Sequence, residues 1–315
     1  MAFDDNHGEI RQVNIEHDYL SDVMHFMNTN ARKTASYKYA YFKSILDNLF
    51  NVDDNYELSF SYLAEDFSIM YWNIIAKYKL PQYQNGGRSL IEKVIYEMIE
   101  KDNLIDGVDF YSLNDEAQQE YLKRTKDVTK INVVGALYSD LNEAIYGFDK
   151  RSRKIWFTKE SYEFLVNYKS ALEKLNYYSW ILWMENILNI RNEEASNLAI
   201  KLDCSNKRSS LERFKNDLFK LGDEPVCFYC GKPLKECHCH MDHFIPWSFV
   251  HDDKIWNIVY SCSKCNESKN NKIPDKKYLF KLIDRNRSIM DNSYDVELLR
   301  LYQAALHNGF IVWSN

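Results

Sequence analysis

Glycine and proline are scarce in this chain, which has only 9 glycines and 5 prolines among 315 residues. Loop-rich sandwiches and disordered tails use more of both, because these residues form turns and interrupt regular elements. Internal repeats, heptad arrays and low-complexity stretches are also missing, which excludes solenoids and long coiled coils. The length therefore predicts either two globular domains or one large domain.

Long hydrophobic runs are absent as well. The most apolar stretch, YYSWILWMENILNI, is interrupted by Glu185 and is too short to span a bilayer. The N-terminus, MAFDDNHGEIRQVNIEHDYL, is too polar for a signal peptide. We therefore expect a cytoplasmic protein with no membrane partner. In that reducing compartment its seven cysteines are better suited to metal binding than to disulfides.

The chain also has no excess of positive charge, since its formal net charge is −6. This balance excludes a protein that coats nucleic acid with a surface that is basic throughout. It leaves room for a local basic site, because phosphate binding depends on where the charges lie. Residues 261 to 287 offer such a place, with eight Lys or Arg against three Asp or Glu.

Residues 17 to 220 have the apolar spacing of helices. Apolar side chains recur every four residues from Tyr37 to Leu49, on one face of a helix that Thr34 or Ser36 can cap. Ser89 stands where it can cap the next helical pattern, LIEKVIYEMIEK. The aromatic content of 15% predicts that these helices enclose an aromatic-rich core.

One segment of this region, AIYGFDKRSRKIWF, has a different pattern. Its two short apolar runs enclose a polar basic turn, which predicts a β-hairpin. The cations at the tip could contact phosphates, but a solvated turn is the interpretation we prefer. They are Lys150, Arg151, Arg153 and Lys154.

Two Cys-x-x-Cys pairs mark the C-terminal part, Cys227 with Cys230 and Cys262 with Cys265. Such a pair brings two thiolates to one side at the separation that tetrahedral Zn²⁺ requires, so two pairs complete a closed Cys₄ site. A closed site is structural, and its ion supplies folding energy that a small module lacks. We predict a structural zinc site.

Other cysteines and histidines crowd the segment CHCHMDH between the two pairs. Cys237 and Cys239 could replace one pair, or bind a second ion with His238 and His240. The interpretation we prefer is that they are ordinary strand residues. Cys204 lies outside the module.

The segments HMDHFIP and WNIVYSCSKCNESK also lie within the module. In a strand His240 and Asp242 point to one face and His243 to the other. A loop then leads to a second strand, NIVYS, and to a short helix that Ser261 or Ser263 can cap. This order predicts a strand, a strand and a helix meeting at one place.

These residues resemble a known family. MDHFIPWSF and WNIVYSCSKCNESK, with the flanking cysteine pairs, resemble the HNH nuclease motif of the ββα-metal superfamily over about residues 227 to 277. SYKYAYFKSIL and LNYYSWILWMEN are similar to segments of bacterial HNH proteins with a helical N-terminal part, many of them associated with phage defence or restriction. The fold class implied is a mainly α N-terminal region plus a small α+β C-terminal ββα-metal domain built on the Cys₄ zinc site.

The resemblance implies a role for each matching residue. Asp242 matches the acidic metal ligand, and His243 matches the general base that activates a water. Asn257 matches the asparagine that braces the loop holding the histidine, and Asn266 matches the second metal ligand. Lys269 matches a lysine that contacts the phosphate.

Two further expectations concern the metal and the lysines around it. Oxygen ligands from Asp and Asn suit a hard cation, so we expect Mg²⁺ or Mn²⁺ as the catalytic ion. His240 is a candidate accessory residue, with a surface histidine as the equally favoured alternative. Lysines after the motif would hold the phosphate backbone without reading its sequence, and these are Lys269, Lys272, Lys276, Lys277 and Lys281.

The domains expected are 1–221, a mostly helical recognition, regulatory or assembly domain; 222–285, the HNH nuclease domain; and 286–315, a C-terminal helix packing back on the body. The expected function is metal-dependent hydrolysis of DNA in bacterial phage defence or restriction, with RNA left open as a substrate. A homodimer or a partner protein of a defence system is the expected assembly. One alternative is a non-catalytic zinc module that binds nucleic acid, and another is a nuclease toxin with a cognate antitoxin.

Overall fold

The computed structural model describes residues 6–14, 17–28, 35–83, 87–102, 107–187, 200–201, 210–234, 239–290 and 294–314. It forms two compact units, Met1–Lys207 and Arg208–Asn315. The division thus precedes the helix Arg213–Lys220, whereas the expected boundary near residue 222 follows it. The reason is that this helix shares a hydrophobic core with the C-terminal unit. Within the described ranges, no helix has both the length and the apolar character needed to cross a membrane.

The N-terminal unit is mainly helical. Its helices are α1 (Tyr19–Met27), α2 (Tyr37–Asp47), α3 (Phe60–Trp72, continued by a π-helix at Asn73–Lys77), α4 (Leu90–Lys101), α5 (Asp115–Thr125), α6 (Val128–Asn132), α7 (Val134–Asp140) and α8 (Lys159–Ile187). Short 3₁₀ turns lie at Leu49–Asn51 and Phe110–Ser112.

This unit also has a small antiparallel sheet. Its strands are β1 (His7–Gly8), β2 (Glu57–Ser59), β3 (Gly147–Asp149) and β4 (Lys154–Trp156), in the order β1-β3-β4-β2. The pairing of β3 with β4 confirms the predicted hairpin. At its tip Arg153 forms an exposed ion pair with Asp127 at 2.8 Å, as suits a solvated turn.

Helix α2 is buried on more sides than its four-residue spacing predicts. Every residue from Tyr39 to Leu49 is buried, because α3, α7 and α8 all pack against it. The buried set includes Lys43 and Asp47, which form an ion pair, and Lys169 of α8 lies 3.9 Å from the same aspartate. Pairing offsets part of the cost of removing these charges from water.

The core of this unit is aromatic, as the composition predicts. Trp72, Trp180 and Trp183 are fully buried, and Trp180 stacks on Tyr39 with ring centroids 6.1 Å apart. These large side chains supply the apolar area that stabilises the helical unit.

The helix starts of the N-terminal unit agree only in part with the sequence. Ser89 forms a full capping box with Glu92, which confirms the predicted cap of α4. Ser36 precedes α2, but its hydroxyl pairs with the Tyr71 hydroxyl at 2.7 Å and makes no capping hydrogen bond. Thr34 lies outside the described residues.

The C-terminal unit is a small α+β module, and the two units together confirm the predicted fold class. Its elements are α9 (Arg213–Lys220), β5 (His240–His243), α10 (Trp247–Val250), a 3₁₀ turn (Ile255–Asn257), β6 (Ile258–Ser261), α11 (Ser263–Lys269), β7 (Ile273–Pro274), α12 (Lys276–Ile289), α13 (Asp295–His307) and β8 (Val312–Trp313). Strands β5 and β6 pair antiparallel, with Asp242 opposite Val259 and His243 opposite Ile258.

The end of the chain belongs to this module. Strand β8 pairs in parallel with β7, and Trp313 packs against Tyr229 and Tyr278. Its indole Nε1 donates to the Ser268 hydroxyl at 2.9 Å, and the Tyr302 hydroxyl of α13 donates to the Pro274 carbonyl at 2.8 Å. These contacts place the final segment against the residues that precede and carry the candidate site.

Candidate zinc centre and active site

The four cysteines of the two Cys-x-x-Cys pairs converge on one point. The sulfur atoms of Cys227, Cys230, Cys262 and Cys265 all lie within 4.8 Å of one another. Cys230 Sγ and Cys262 Sγ are 3.9 Å apart. A Zn–S bond of about 2.3 Å in a tetrahedron separates sulfurs by about 3.8 Å, so the spacing fits a Cys₄ zinc site.

The backbone around the first pair explains this convergence. The chain turns back after Cys230, where the Gly231 amide donates to the Cys227 carbonyl at 2.8 Å. Gly231 has a φ of +72°, a conformation that glycine adopts without the strain of a side chain. The Phe228 amide then donates to the Tyr260 carbonyl at 2.9 Å, which anchors the turn to the end of β6. Cys262 follows β6 directly.

The protonation chemistry of the thiols also favours a bound cation. Burial raises the pKa of Cys230 and Cys265 above the ordinary thiol value. At Cys227 burial has the same sign, but hydrogen bonds from the amides of Cys230, Cys262 and Tyr229 outweigh it and lower the pKa to about 7. Four crowded thiols cannot all ionise together in the absence of positive charge, and Zn²⁺ supplies that charge on binding.

The remaining cysteines do not join this cluster among the described residues. Cys239 is buried in the hydrophobic core with Met241, Tyr260 and Phe214. This position agrees with an ordinary strand residue. Cys204, Cys237 and His238 lie outside the described residues.

Asp242 is held by residues from two other elements. Its side chain is 9% exposed, and its Oδ2 accepts a hydrogen bond from the Tyr229 hydroxyl at 2.7 Å. Lys269, at the end of α11, places its Nζ 3.2 Å from Oδ1 and 3.1 Å from Oδ2. Tyr229 lies between the first two cysteines, so the turn that carries thiols also carries a partner of the carboxylate.

Lys269 lies in a different place from the one its family match implies. It is 1% exposed, and its Nζ donates to the His243 carbonyl at 2.7 Å as well as to Asp242. Because α11 packs against β5, this ammonium points into the module and is not open to a phosphate. It neutralises the buried carboxylate instead.

His243 has a carboxylate partner of its own. The ring is almost fully buried, and its Nε2 lies 2.9 Å from Asp253 Oδ1. The other oxygen of Asp253 lies 3.5 Å from Arg213 Nη2 of α9. Asp242 and His243 are therefore neighbours on β5 with two separate sets of partners.

Asn257 braces the backbone that follows His243. Its Oδ1 accepts from the Ile245 amide at 2.8 Å, and its Nδ2 donates to the Ile245 carbonyl at 3.0 Å. Its own carbonyl accepts from the Phe244 amide at 2.8 Å. Asn257 is 1% exposed, so these three bonds are made away from water.

Asn266 lies on α11 three residues before Lys269, which places both side chains on one face of the helix. It is half-buried. No hydrogen bond joins its side chain to Asp242 within the described part of the chain. Two oxygen atoms that ligate one cation would not bond to each other, because both are acceptors.

His240 takes the surface position that was one of its two expected alternatives, whereas the start of α11 differs from expectation. His240 is exposed, and its Nε2 pairs with the Ser263 hydroxyl at 2.9 Å. The residue at the N-cap of α11 is Cys262, with no side-chain capping bond, while the Ser261 hydroxyl donates to the Cys262 carbonyl. Neither serine caps the helix, because the capping position is taken by a cysteine of the zinc cluster.

The lysines after the motif fall into two groups. Lys276 and Lys277 are exposed and Lys272 is half-exposed, with ammonium groups near the surface of the module. Lys281 donates to the Phe228 carbonyl and Lys269 is buried, so these two serve the fold.

Two site residues were not predicted from the sequence, Tyr229 and Asp253. The signal for Asp253 was the acidic loop HDDK between the two strands, and the signal for Tyr229 was its position inside a Cys-x-x-Cys pair. Neither signal shows that Asp253 pairs with His243 or that Tyr229 pairs with Asp242.

A β-hairpin and a helix framed by four thiols, with an acid and a histidine side by side on the first strand, define the ββα class of metal-dependent nuclease domains. Residues 227–275 match the model of a family described as HNH endonuclease. This match to the segment confirms the resemblance. Comparisons of the chain with curated proteins and with solved structures gave no match. The family indicates a nuclease with a nucleic-acid substrate.

We predict that Cys262→Ser loses zinc and unfolds the C-terminal unit. Removing one of four thiolates opens the site, and the folding energy of a small module depends on the ion. Metal analysis should give about one equivalent of zinc for the wild type and less than about half for the variant. Circular dichroism should still report a folded helical unit.

The matched control for this zinc prediction is Cys239→Ala. It removes a buried thiol that lies in the hydrophobic core and not in the sulfur cluster. Zinc content should stay near that of the wild type. Equal zinc in Cys262→Ser and wild type would contradict the assignment of the cluster.

We also predict that Asn257→Ala destabilises the C-terminal unit by about 2 kcal/mol or more. The substitution leaves the buried amide and carbonyl of Ile245 unpaired, and each such group costs about 1–3 kcal/mol. Urea unfolding followed by the fluorescence of the module's tryptophans would measure the loss. Asn271→Ala is the control, because its bond to Ser248 is exposed and its removal should cost less than about 0.5 kcal/mol. Equal urea midpoints for Asn257→Ala and Asn271→Ala would contradict the bracing role of Asn257.

Proposed function

We propose that this protein is a metal-dependent endonuclease that hydrolyses phosphodiester bonds of DNA. The observation that carries the proposal is the pair Asp242 and His243 on β5, each held by its own partners inside a segment of the HNH endonuclease family. Paired acid and imidazole groups fixed in a small module suit hydrolysis, which needs a charge-stabilising site and a proton acceptor.

His243 is the proposed general base. Its backbone is fixed by Lys269 and by the Asn257 brace, and its ring is held at Nε2. The ring nitrogen Nδ1 is the atom that we propose takes the proton of an attacking water. A positioned base of this kind contributes about 10²–10⁴-fold to the rate.

Asp242 and Asn266 are the proposed ligands of the catalytic ion. A carboxylate offers about four acceptor positions, so Asp242 has capacity left beside its bonds to Tyr229 and Lys269. This oxygen donor set fits Mg²⁺ or Mn²⁺, which bind with few protein ligands and keep several waters. When bound, such an ion stabilises negative charge on the phosphate and on the leaving oxygen.

The exposed lysines are the proposed contacts to the DNA backbone. Lys272, Lys276 and Lys277 follow the site in sequence and are accessible to a phosphate. Contacts of this type position a substrate without reading its sequence. Lys269 and Lys281 are left out of this role because their bonds within the module are buried or part-buried, whereas the bond of Lys272 to the Ser268 carbonyl is exposed.

The biological setting is part of the same proposal. Similarity of two helical segments to bacterial HNH proteins supports a role in phage defence or restriction inside the cell. One active site per chain cuts one strand, so concerted cleavage of both strands would use a homodimer or a partner protein.

The central test is His243→Ala. If the imidazole is the general base, the variant should lose about 10²–10⁴-fold in the rate of DNA cleavage. Cleavage should be followed on plasmid, phage and single-stranded DNA and on RNA, with Mg²⁺, Mn²⁺ or EDTA. Binding of DNA in EDTA should be retained, because the buried ring does not face solvent as a cation.

His307→Ala is the matched control, since this histidine is exposed near the end of α13 and outside the site. It should cleave at the wild-type rate. Undiminished cleavage by His243→Ala would reject the base while leaving a nuclease. A wild type that binds DNA but cleaves none of the substrates with either ion would favour the non-catalytic module.

A second test addresses the ion. Asp242→Ala and Asn266→Ala should each require a higher Mg²⁺ concentration for half-maximal cleavage, because each removes an oxygen ligand from a sparsely liganded ion. Titration of Mg²⁺ at fixed substrate measures the change. Glu267→Gln neutralises an exposed carboxylate next to Asn266 on α11 and should leave the titration unchanged. A wild-type titration curve in Asp242→Ala or Asn266→Ala would exclude that residue as a ligand.

A further inference from the structure

We propose that Asp253 is a positioning residue for the His243 base, and that it fixes the ring in the tautomer that carries its proton on Nε2. The inference rests on the proposed function and identifies a residue outside the HNH motif as a determinant of the rate. Asp253 lies in the loop between the two strands, ten residues after His243.

The contact has the geometry of a hydrogen bond in a buried place. His243 Nε2 and Asp253 Oδ1 are 2.9 Å apart, and the two side chains are 2% and 9% exposed. A carboxylate accepts and does not donate, so a neutral ring beside it must carry its proton on Nε2. Nδ1 is then the nitrogen that carries no proton.

The backbone around His243 does not need Asp253. The His243 carbonyl is bonded by Lys269 Nζ, and the next two residues are bonded by Asn257. These contacts set the position of the strand end and are made by the backbone, so they do not involve the ring. Among these partners Asp253 is the one that acts on the ring itself.

Arg213 determines which atom of the residue 253 side chain faces the histidine. Its Nη2 lies 3.5 Å from Asp253 Oδ2, on the side of the carboxylate that does not face the histidine. In Asp253→Asn the amide oxygen would therefore face Arg213, and the amide NH₂ would face Nε2. An NH₂ group donates, so it would favour the opposite tautomer, with the proton on Nδ1 and no lone pair there for a water proton.

Kinetics of Asp253→Asn test this consequence. A ring in the wrong tautomer contributes nothing as a base, so kcat on plasmid DNA with saturating Mg²⁺ should fall by about 10²-fold or more, toward the His243→Ala value. KM and the Mg²⁺ titration should stay near wild type, because substrate and metal contacts are unchanged. The double variant, His243→Ala with Asp253→Asn, should cleave no more slowly than His243→Ala alone, because the losses of rate from residues that act as one unit do not add.

Asp252→Asn is the matched control. Asp252 is the neighbouring carboxylate of the same loop, and it pairs with Lys254 at 2.8 Å on the surface. Its Oδ1 accepts the Asp253 amide hydrogen, and an amide oxygen can do the same. We expect Asp252→Asn to cleave with the wild-type kcat. An unchanged kcat in Asp253→Asn, or additive losses in the double variant, would overturn the positioning role.

A spectroscopic readout tests the tautomer without any cleavage. In protein labelled with ¹⁵N-histidine, the His243 ring of the wild type should show a protonated Nε2 and an unprotonated Nδ1, and Asp253→Asn should reverse or mix this pattern. The resonance is assigned by its absence in His243→Ala. A wild-type ring protonated on Nδ1 would overturn the inference, even if Asp253→Asn fails to fold. Failure of the proposed function is seen separately, as a wild type that cleaves no substrate.

Discussion

The approach of four thiols to one point determines how the rest of the C-terminal unit is arranged. The first pair lies in the turn at Cys227 and Cys230, and the second lies at the start of α11. Tyr229 stands between the first two cysteines, and Lys269 ends the helix that the second pair begins. Both side chains that hold Asp242 therefore come from segments that meet where the four thiols converge, and the carboxylate is oriented by the same geometry that closes the module.

Each buried ionisable side chain of β5 is paired with a polar or charged partner. Asp242 is paired with the Lys269 ammonium and receives the Tyr229 hydroxyl, whereas the imidazole of His243 is paired with the carboxylate of Asp253. The two side chains have different partners because adjacent strand residues project to opposite faces, while Lys269 also bonds the backbone carbonyl of His243. Burial of a charge without a partner would cost several kcal/mol, and this cost explains why a small module devotes buried side chains to partners for Asp242 and His243.

Local spacing carries most of what could be predicted about this site. The sequence shows the two Cys-x-x-Cys pairs and the adjacent Asp242 and His243 directly. The pattern of residues between the two cysteine pairs also predicts two strands followed by a helix. The partners were not visible, because the contact of Asp253 with His243 depends on the path of a loop. The buried position of Lys269 depends on how closely α11 packs on β5.

Competition between interactions accounts for the other differences. Ser36 is placed to cap α2, but its hydroxyl bonds to Tyr71 across the core, and a cysteine stands at the capping position of α11. In α2 the four-residue apolar spacing marks one face, yet three helices surround it and bury Lys43 and Asp47 as well. Propensity describes one element at a time, and tertiary packing can override it wherever a side chain has a stronger partner elsewhere.

The two units draw their stability from different sources, and this difference links folding to chemistry. The N-terminal unit buries Trp72, Trp180 and Trp183 in an aromatic core that needs no ion. The hydrophobic cluster that joins α9 to β5 and β6 is small, and a zinc ion at the four thiols, as predicted, would add to its folding free energy. Because Tyr229 and α11 are positioned there, loss of zinc would displace the partners of Asp242 while the helical unit stays folded. Under the proposed function, cleavage would therefore depend on zinc through the fold of the module, because the four thiols lie beside the residues that hold Asp242.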